Sequence, residues 1–175
     1  VVMLRYAEGS ASTAERERGF LDAVAAHKGI EVASSNQYGG VTTESAFKAS
    51  ENLLAAHKGP GGLSVQGIFC PNESTAFAML RVLQDNGWAG KVRFVGFDAS
   101  DNLVKGLRDG HIDGLVLPDP VRMGYLGVKA MVSRLQGQPV EKRIDTGVHM
   151  ATRENMDGPE MKELLQPDLT KWLKK

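Results

Sequence analysis

Arg18, Asn72 and Asp98 are the side chains whose types and spacing could do chemistry. Each follows a short apolar run: Arg18 lies early in the helical stretch after residues 1–6, Asn72 just after residues 65–70, and Asp98 directly after residues 91–97. A guanidinium fork, a carboxamide and a carboxylate together offer donors and acceptors, a set suited to the adjacent hydroxyls of a neutral, polyhydroxylated ligand. Each residue also has a purely structural explanation. Arg18 could pair with Glu15 or Asp22 on a solvated helix face, and Asn72 and Asp98 could cap helices or form turns.

Other chemistry finds no support in the pattern. Cys70, the single cysteine, ends an apolar run before Pro71 with no histidine beside it, and reads as a small core residue. His27 and His57 close helices, His111 and His149 are isolated, and none has metal-ligand spacing. The glycine cluster at 59–62 precedes a strand, whereas a phosphate-binding loop follows a strand and opens a helix. No G-x-S-x-G elbow and no facing pair of carboxylates is found. A binding module is therefore expected, with no enzymatic activity, cofactor or metal.

The elements that must position these residues alternate regularly. Apolar runs at 1–6, 30–34, 65–70, 91–97 and 112–117 are separated by amphipathic stretches at 14–27, 43–57 and 72–86, and by one ending at Asp109-Gly110. That alternation predicts an α/β fold, a doubly wound parallel sheet of flavodoxin-like form. Ligands of such sheets bind at the carboxyl ends of the strands, where the residues named above fall. After Pro118-Asp119-Pro120 a helix over 121–136 carries an apolar stripe of Val121, Tyr125, Val128, Val132 and Leu135. A strand-like segment at 143–151 and a tail interrupted by Pro159 and Pro167 follow.

Composition narrows the partners. Lys and Arg number 21 against 21 Asp and Glu, so there is no electrostatic excess for gripping nucleic acid or an anionic membrane. By length, 175 residues correspond to one domain. The strand beginning at Val1 reads instead as a fragment or processed piece of a longer protein.

Taken in order, Glu15-Arg16-Glu17-Arg18-Gly19-Phe20, Phe69-Cys70-Pro71-Asn72-Glu73-Ser74, Val95-Gly96-Phe97-Asp98 and Asp109-Gly110 resemble the periplasmic sugar-binding proteins of ABC transporters, of the ribose-binding type. The resemblance implies a two-lobed parent fold. Residues 1–118 would be the C-terminal sugar-binding lobe, 119–150 a crossover segment packing into the other lobe, and 151–175 a return segment and helical tail. It implies sugar contacts from Arg18, Asn72 and Asp98, with Tyr38 as the aromatic face. It also implies a monosaccharide ligand, an ABC permease as partner, and a periplasmic, or exported and membrane-tethered, location.

Without the other lobe, binding should be weak or absent, because closure between two lobes buries the sugar. The stripe after Pro118 should either fold back on its own sheet or be exchanged with a second copy, giving a homodimer through 119–150. The same fold core occurs in the effector domain of LacI-type repressors, so an effector-binding domain of a transcription regulator is the alternative. A small flavodoxin-like enzyme ranks last, since no nucleophile, base or cofactor loop can be named.

Overall fold

The computed structural model of the chain describes residues 1–168 and 170. The sheet is built from β1 (Val2–Arg5), β2 (Ser34–Tyr38), β5 (Gly67–Phe69), β6 (Arg93–Phe97), β7 (Gly114–Pro118) and β8 (Val148–Ala151), in the order β2-β1-β5-β6-β7-β8. A small hairpin of β3 (Lys58–Gly59) and β4 (Gly62–Leu63) stands apart. The helices are α1 (Ala11–Ala25), α2 (Thr43–Ala55), α3 (Glu73–Asp85), α4 (Asp101–Arg108), α5 (Pro120–Leu135) and α6 (Pro159–Leu165). All pairings in the sheet are parallel except β7 with β8, which is antiparallel. The expected α/β class holds, with one antiparallel strand at the edge.

Alternation along the strands divides the side chains between two faces. Ile68, Phe94, Leu115 and Leu117 join Leu53, Leu54, Met79, Leu80, Leu83 and Leu107 in one core beneath α2, α3 and α4. Gly96 lies on that face, where a Cβ would stand 3.1 Å from the Ala76 methyl and 3.2 Å from Leu115 Cδ2. The missing side chain lets α3 rest directly on β6. The opposite face carries Phe69 and Phe97, and α1 covers them: Phe20 stacks on Phe69 with ring centroids 4.7 Å apart.

The helix starts follow local chemistry. Thr42 accepts from the Ser45 amide at 3.1 Å while Ser45 Oγ accepts from the Thr42 amide, a capping box that fixes the first turn of α2. Asp119 accepts from the Arg122 amide at 2.9 Å and Pro120 occupies the first turn of α5, where its missing N–H costs nothing.

Three expectations need correction. The apolar run 30–34 is not the second strand; the strand is Ser34–Tyr38, pairing Leu4 with Gln37 and Arg5 with Tyr38. An edge strand with one neighbour needs no apolar run, and Ile30, 44% exposed, instead sits in the loop closing α1. The strand-like segment 143–151 shortens to Val148–Ala151, and its pairing with β7 puts residues 148–150 of the expected crossover segment in this lobe's own sheet. Finally, α5 does not fold back, since none of its residues is buried. Trp172, in the tail expected to be helical, lies outside the described residues.

Phe94 is fully buried between the central strands and helices. Phe94→Ala should therefore lower unfolding stability by about 3–5 kcal/mol, read as a reduced midpoint in urea denaturation with an unchanged m-value.

Candidate functional site

The helix that follows β1 selects which of its charged residues reach the sheet edge. Successive residues turn by about 100°, so Arg16 shares a side with Phe20 while Arg18 is carried about 200° away from Arg16. Arg18 is accordingly 64% exposed and pairs with Glu15 at 2.5 Å, the structural alternative weighed for it above. The structure does not bring Arg18 to the other candidates. Arg16 takes that place: its guanidinium lies 3.8 Å from the Phe97 ring centroid, and Nη1 donates to the Pro71 carbonyl at 2.9 Å.

Asp98 ends β6 beside this guanidinium. Its Oδ2 accepts from the Glu73 amide at the start of α3, at 3.1 Å. Burial pushes the carboxyl above its ordinary value, and the Arg16 charge and the Glu73 amide oppose that rise. Burial likewise pulls Arg16 below its ordinary value against the attraction of Asp98. Asp98 also has φ of +71°, the one non-glycine residue in the left-handed region among those described. Backbone strain of this kind persists only where the surroundings impose it. Here it turns the chain from β6 toward α4 while the carboxylate stays on α3.

Asn72 occupies the N-cap position of α3, yet its side chain makes no cap hydrogen bond. Its Oδ1 accepts from Thr75 Oγ1 at 2.6 Å and its Nδ2 donates to Ser74 Oγ at 3.0 Å. The amide is thereby held in orientation with one N–H and one lone pair still free to meet a ligand. Thr75, fully buried, is tightly supported: a Cβ at Gly39 would come within 2.8 Å of its Cγ2. Cys70 lies behind this group, its thiol pushed up by burial, which suits a core residue.

Tyr38 ends β2 on the same sheet edge. The Arg5 guanidinium sits 4.5 Å from its ring centroid, and Arg5 Nε is in turn held by buried Glu17 at 2.8 Å. Glu17 also accepts from the Tyr6 amide at 3.2 Å, pinning α1 to the end of β1. Sequence reading noted Arg16 beside Arg18 but settled on Arg18, and did not single out Glu17. Their spacing of four from Phe20 and seven from Val24 was the available signal.

The edge therefore gathers Arg16 of α1, Asn72 at the start of α3 and Asp98 just after β6, with Phe97 as an aromatic floor under the guanidinium. Residues 1–139 match the periplasmic binding protein domain family. The chain belongs to this family.

Among the relatives of this periplasmic binding protein, the ribose import binding protein of Haemophilus influenzae is 34% identical over 144 residues, 82% of this chain and 46% of its own. That of Escherichia coli is 30% identical over 154 residues, 88% and 49% respectively. A carbohydrate transporter solute-binding protein of Agrobacterium radiobacter, solved in complex with D-arabinose, superposes with a TM-score of 0.84 at 30% identity. It is matched over 94% of this chain and 54% of its own. An ABC transporter solute-binding protein of Agrobacterium vitis with bound D-fucose gives a TM-score of 0.84 at 33% identity, over 94% and 55%. The chain spans about half the length of the curated relatives it matches. These relatives are import and solute-binding proteins, not enzymes. No described helix is long and apolar enough to cross a membrane.

The raised Asp98 carboxyl gives a pH dependence with a definite sign. A carboxyl whose folded value exceeds its unfolded value contributes stability that is full below the ordinary 3.8 and is lost as pH rises through the folded value. Asp98→Asn removes that loss and also tolerates the left-handed backbone. The variant should melt above wild type at neutral pH, with the difference vanishing below the ordinary carboxyl value in a series of thermal melts across pH.

Proposed function

We propose that this periplasmic binding protein lobe is the sugar-recognising half of a solute-binding component of an ABC transporter, located in the periplasm. The observation that carries the proposal is the convergence of Arg16, Asn72 and Asp98 at the carboxyl edge of β1, β5 and β6. The guanidinium donates, the carboxylate accepts, and the amide does both, so adjacent hydroxyls of a monosaccharide find complementary partners. Near-cancellation of charge at the edge suits a neutral ligand. The solved relatives that hold D-arabinose and D-fucose support a monosaccharide. Tyr38, at the same edge, offers an aromatic face whose other side is occupied by Arg5.

Recognition in this reading is reversible binding without bond making, and the filled protein is read by a permease. A single edge leaves one side of a bound sugar in water, so the affinity of this chain is expected to be weak, about millimolar. The named relatives are import proteins, which favours transport over the effector domain of a transcription regulator.

Titration of isotopically labelled chain with D-ribose, D-arabinose and D-fucose, followed by amide NMR, tests the proposal. Shifts should centre on Arg16, Asn72 and Asp98. Arg16→Ala should weaken binding at least tenfold, while Arg18→Ala should leave it unchanged. Absence of shifts at this edge at saturating sugar, or equal effects of the two arginine substitutions, would overturn it.

A further inference from the structure

The ion pair between Arg5 and Glu17 leaves most of the arginine unused. Val2 and Leu4 join the core beneath α2, α3 and α4, so alternation along β1 puts Arg5 on the face that α1 covers. There Glu17 is consumed completely: Oε2 accepts from Arg5 Nε at 2.8 Å and Oε1 from the Tyr6 amide at 3.2 Å. Its side chain is 4% exposed, whereas that of Arg5 is 29% exposed. A guanidinium carries five N–H donors, and Glu17 takes only the one on Nε. Among the described residues Nη1 and Nη2 make no hydrogen bond. The Tyr38 ring, its centroid 4.5 Å away, holds the guanidinium from one side. Fastening a helix does not call for such a pair, because apolar side chains of similar volume do it at least as well.

The backbone joins this arginine to the rest of the edge. Arg5 pairs in register with Tyr38, and its carbonyl accepts from the Gly39 amide at 2.7 Å. A Cβ on Gly39 would stand 3.3 Å from that carbonyl oxygen and 2.8 Å from Cγ2 of Thr75, the residue that holds the Asn72 amide. In the sheet β1 lies between β2, which ends in Tyr38, and β5, which leads to Asn72. On α1 the consecutive residues Arg16 and Glu17 point about 100° apart. One turn of helix thereby sends Arg16 to Phe97 on β6 and fixes Arg5 at the end of β1. Those two strands are two spacings apart, about 9–10 Å, a distance that one monosaccharide with a hydrogen bond of about 2.9 Å at each end fills.

We propose that Arg5 is a specificity-determining residue of this edge: its Nη groups donate to a sugar hydroxyl beyond those met by Arg16, Asn72 and Asp98. Glu17 and Tyr38 are the positioning residues that fix the guanidinium plane. The assignment rests on the reading of the edge as a monosaccharide site. Because the Glu17 carboxylate is buried and fully used, the pair offers a ligand donors only, and the hydroxyl it meets acts as acceptor. A planar fork held by an ion pair and a ring loses little freedom on forming these bonds. A sugar without that hydroxyl forfeits a hydrogen bond to a charged, partly buried donor, and selectivity follows from that loss.

Amide NMR titration of the 175-residue chain with D-ribose, D-arabinose and the monodeoxy analogues of each tests the assignment. Arg5→Lys leaves a cation for Glu17, but a single ammonium held there does not replace the fork. It should weaken binding of the intact sugars about tenfold, while the one analogue missing the contacted hydroxyl binds variant and wild type alike. Arg5→Met combined with Glu17→Met removes the pair without leaving a buried charge, and should change selectivity in the same way with an unaltered circular dichroism spectrum. An arginine that only fastened α1 would, when replaced, weaken every sugar by the same factor. That uniform loss would overturn the assignment and leave the monosaccharide reading standing. So would unchanged affinities in both variants while shifts at Arg16, Asn72 and Asp98 persist. Absence of shifts at this edge with every sugar would overturn both.

Discussion

Parallel strands present apolar side chains on both faces, so every strand needs a helical cover above and below. On one face α2, α3 and α4 meet that need together, with Gly96 allowing α3 to settle onto β6. On the other face α1 is the helix that supplies cover among the described residues. It covers Phe69 with Phe20 and Phe97 with the Arg16 guanidinium, and it is locked to the end of β1 by Glu17 through Arg5 and the Tyr6 amide. The position of the candidate site follows from this packing, because the residues of α1 that face the sheet are also those nearest its carboxyl edge.

The electrostatics of that edge follow from the same packing. Burial raises the cost of charge on both Arg16 and Asp98, and each is partly offset by the other. The Glu73 amide at the start of α3 adds a fixed donor to the Asp98 carboxylate. Asn72 is oriented through buried Thr75 and Ser74 rather than by capping its own helix. Groups held in place before a ligand arrives lose little freedom on binding it, which favours recognition even from one side.

Much of the fold was legible in the residues. The alternation of apolar runs and amphipathic stretches, the Asn72 and Asp98 positions after β5 and β6, and the apolar stripe on α5 were all readable from spacing. Two readings differ from the structure's placement for definite reasons. The second strand lies at Ser34–Tyr38 because an edge position accepts polar residues, so hydrophobicity pointed to the wrong segment. Arg18 was chosen over Arg16 although two residues separate opposite sides of a helix, and only the orientation of α1 against Phe69 and Phe97 decides which side faces the edge.

The sequence by itself determined the alternation of strands and helices, the α/β class and the balanced charge, because these depend on local periodicity and composition. Only the tertiary structure decided which arginine joins Asp98, that Asn72 is held by Thr75, and that no residue of α5 is buried. Those outcomes depend on contacts between residues distant along the chain.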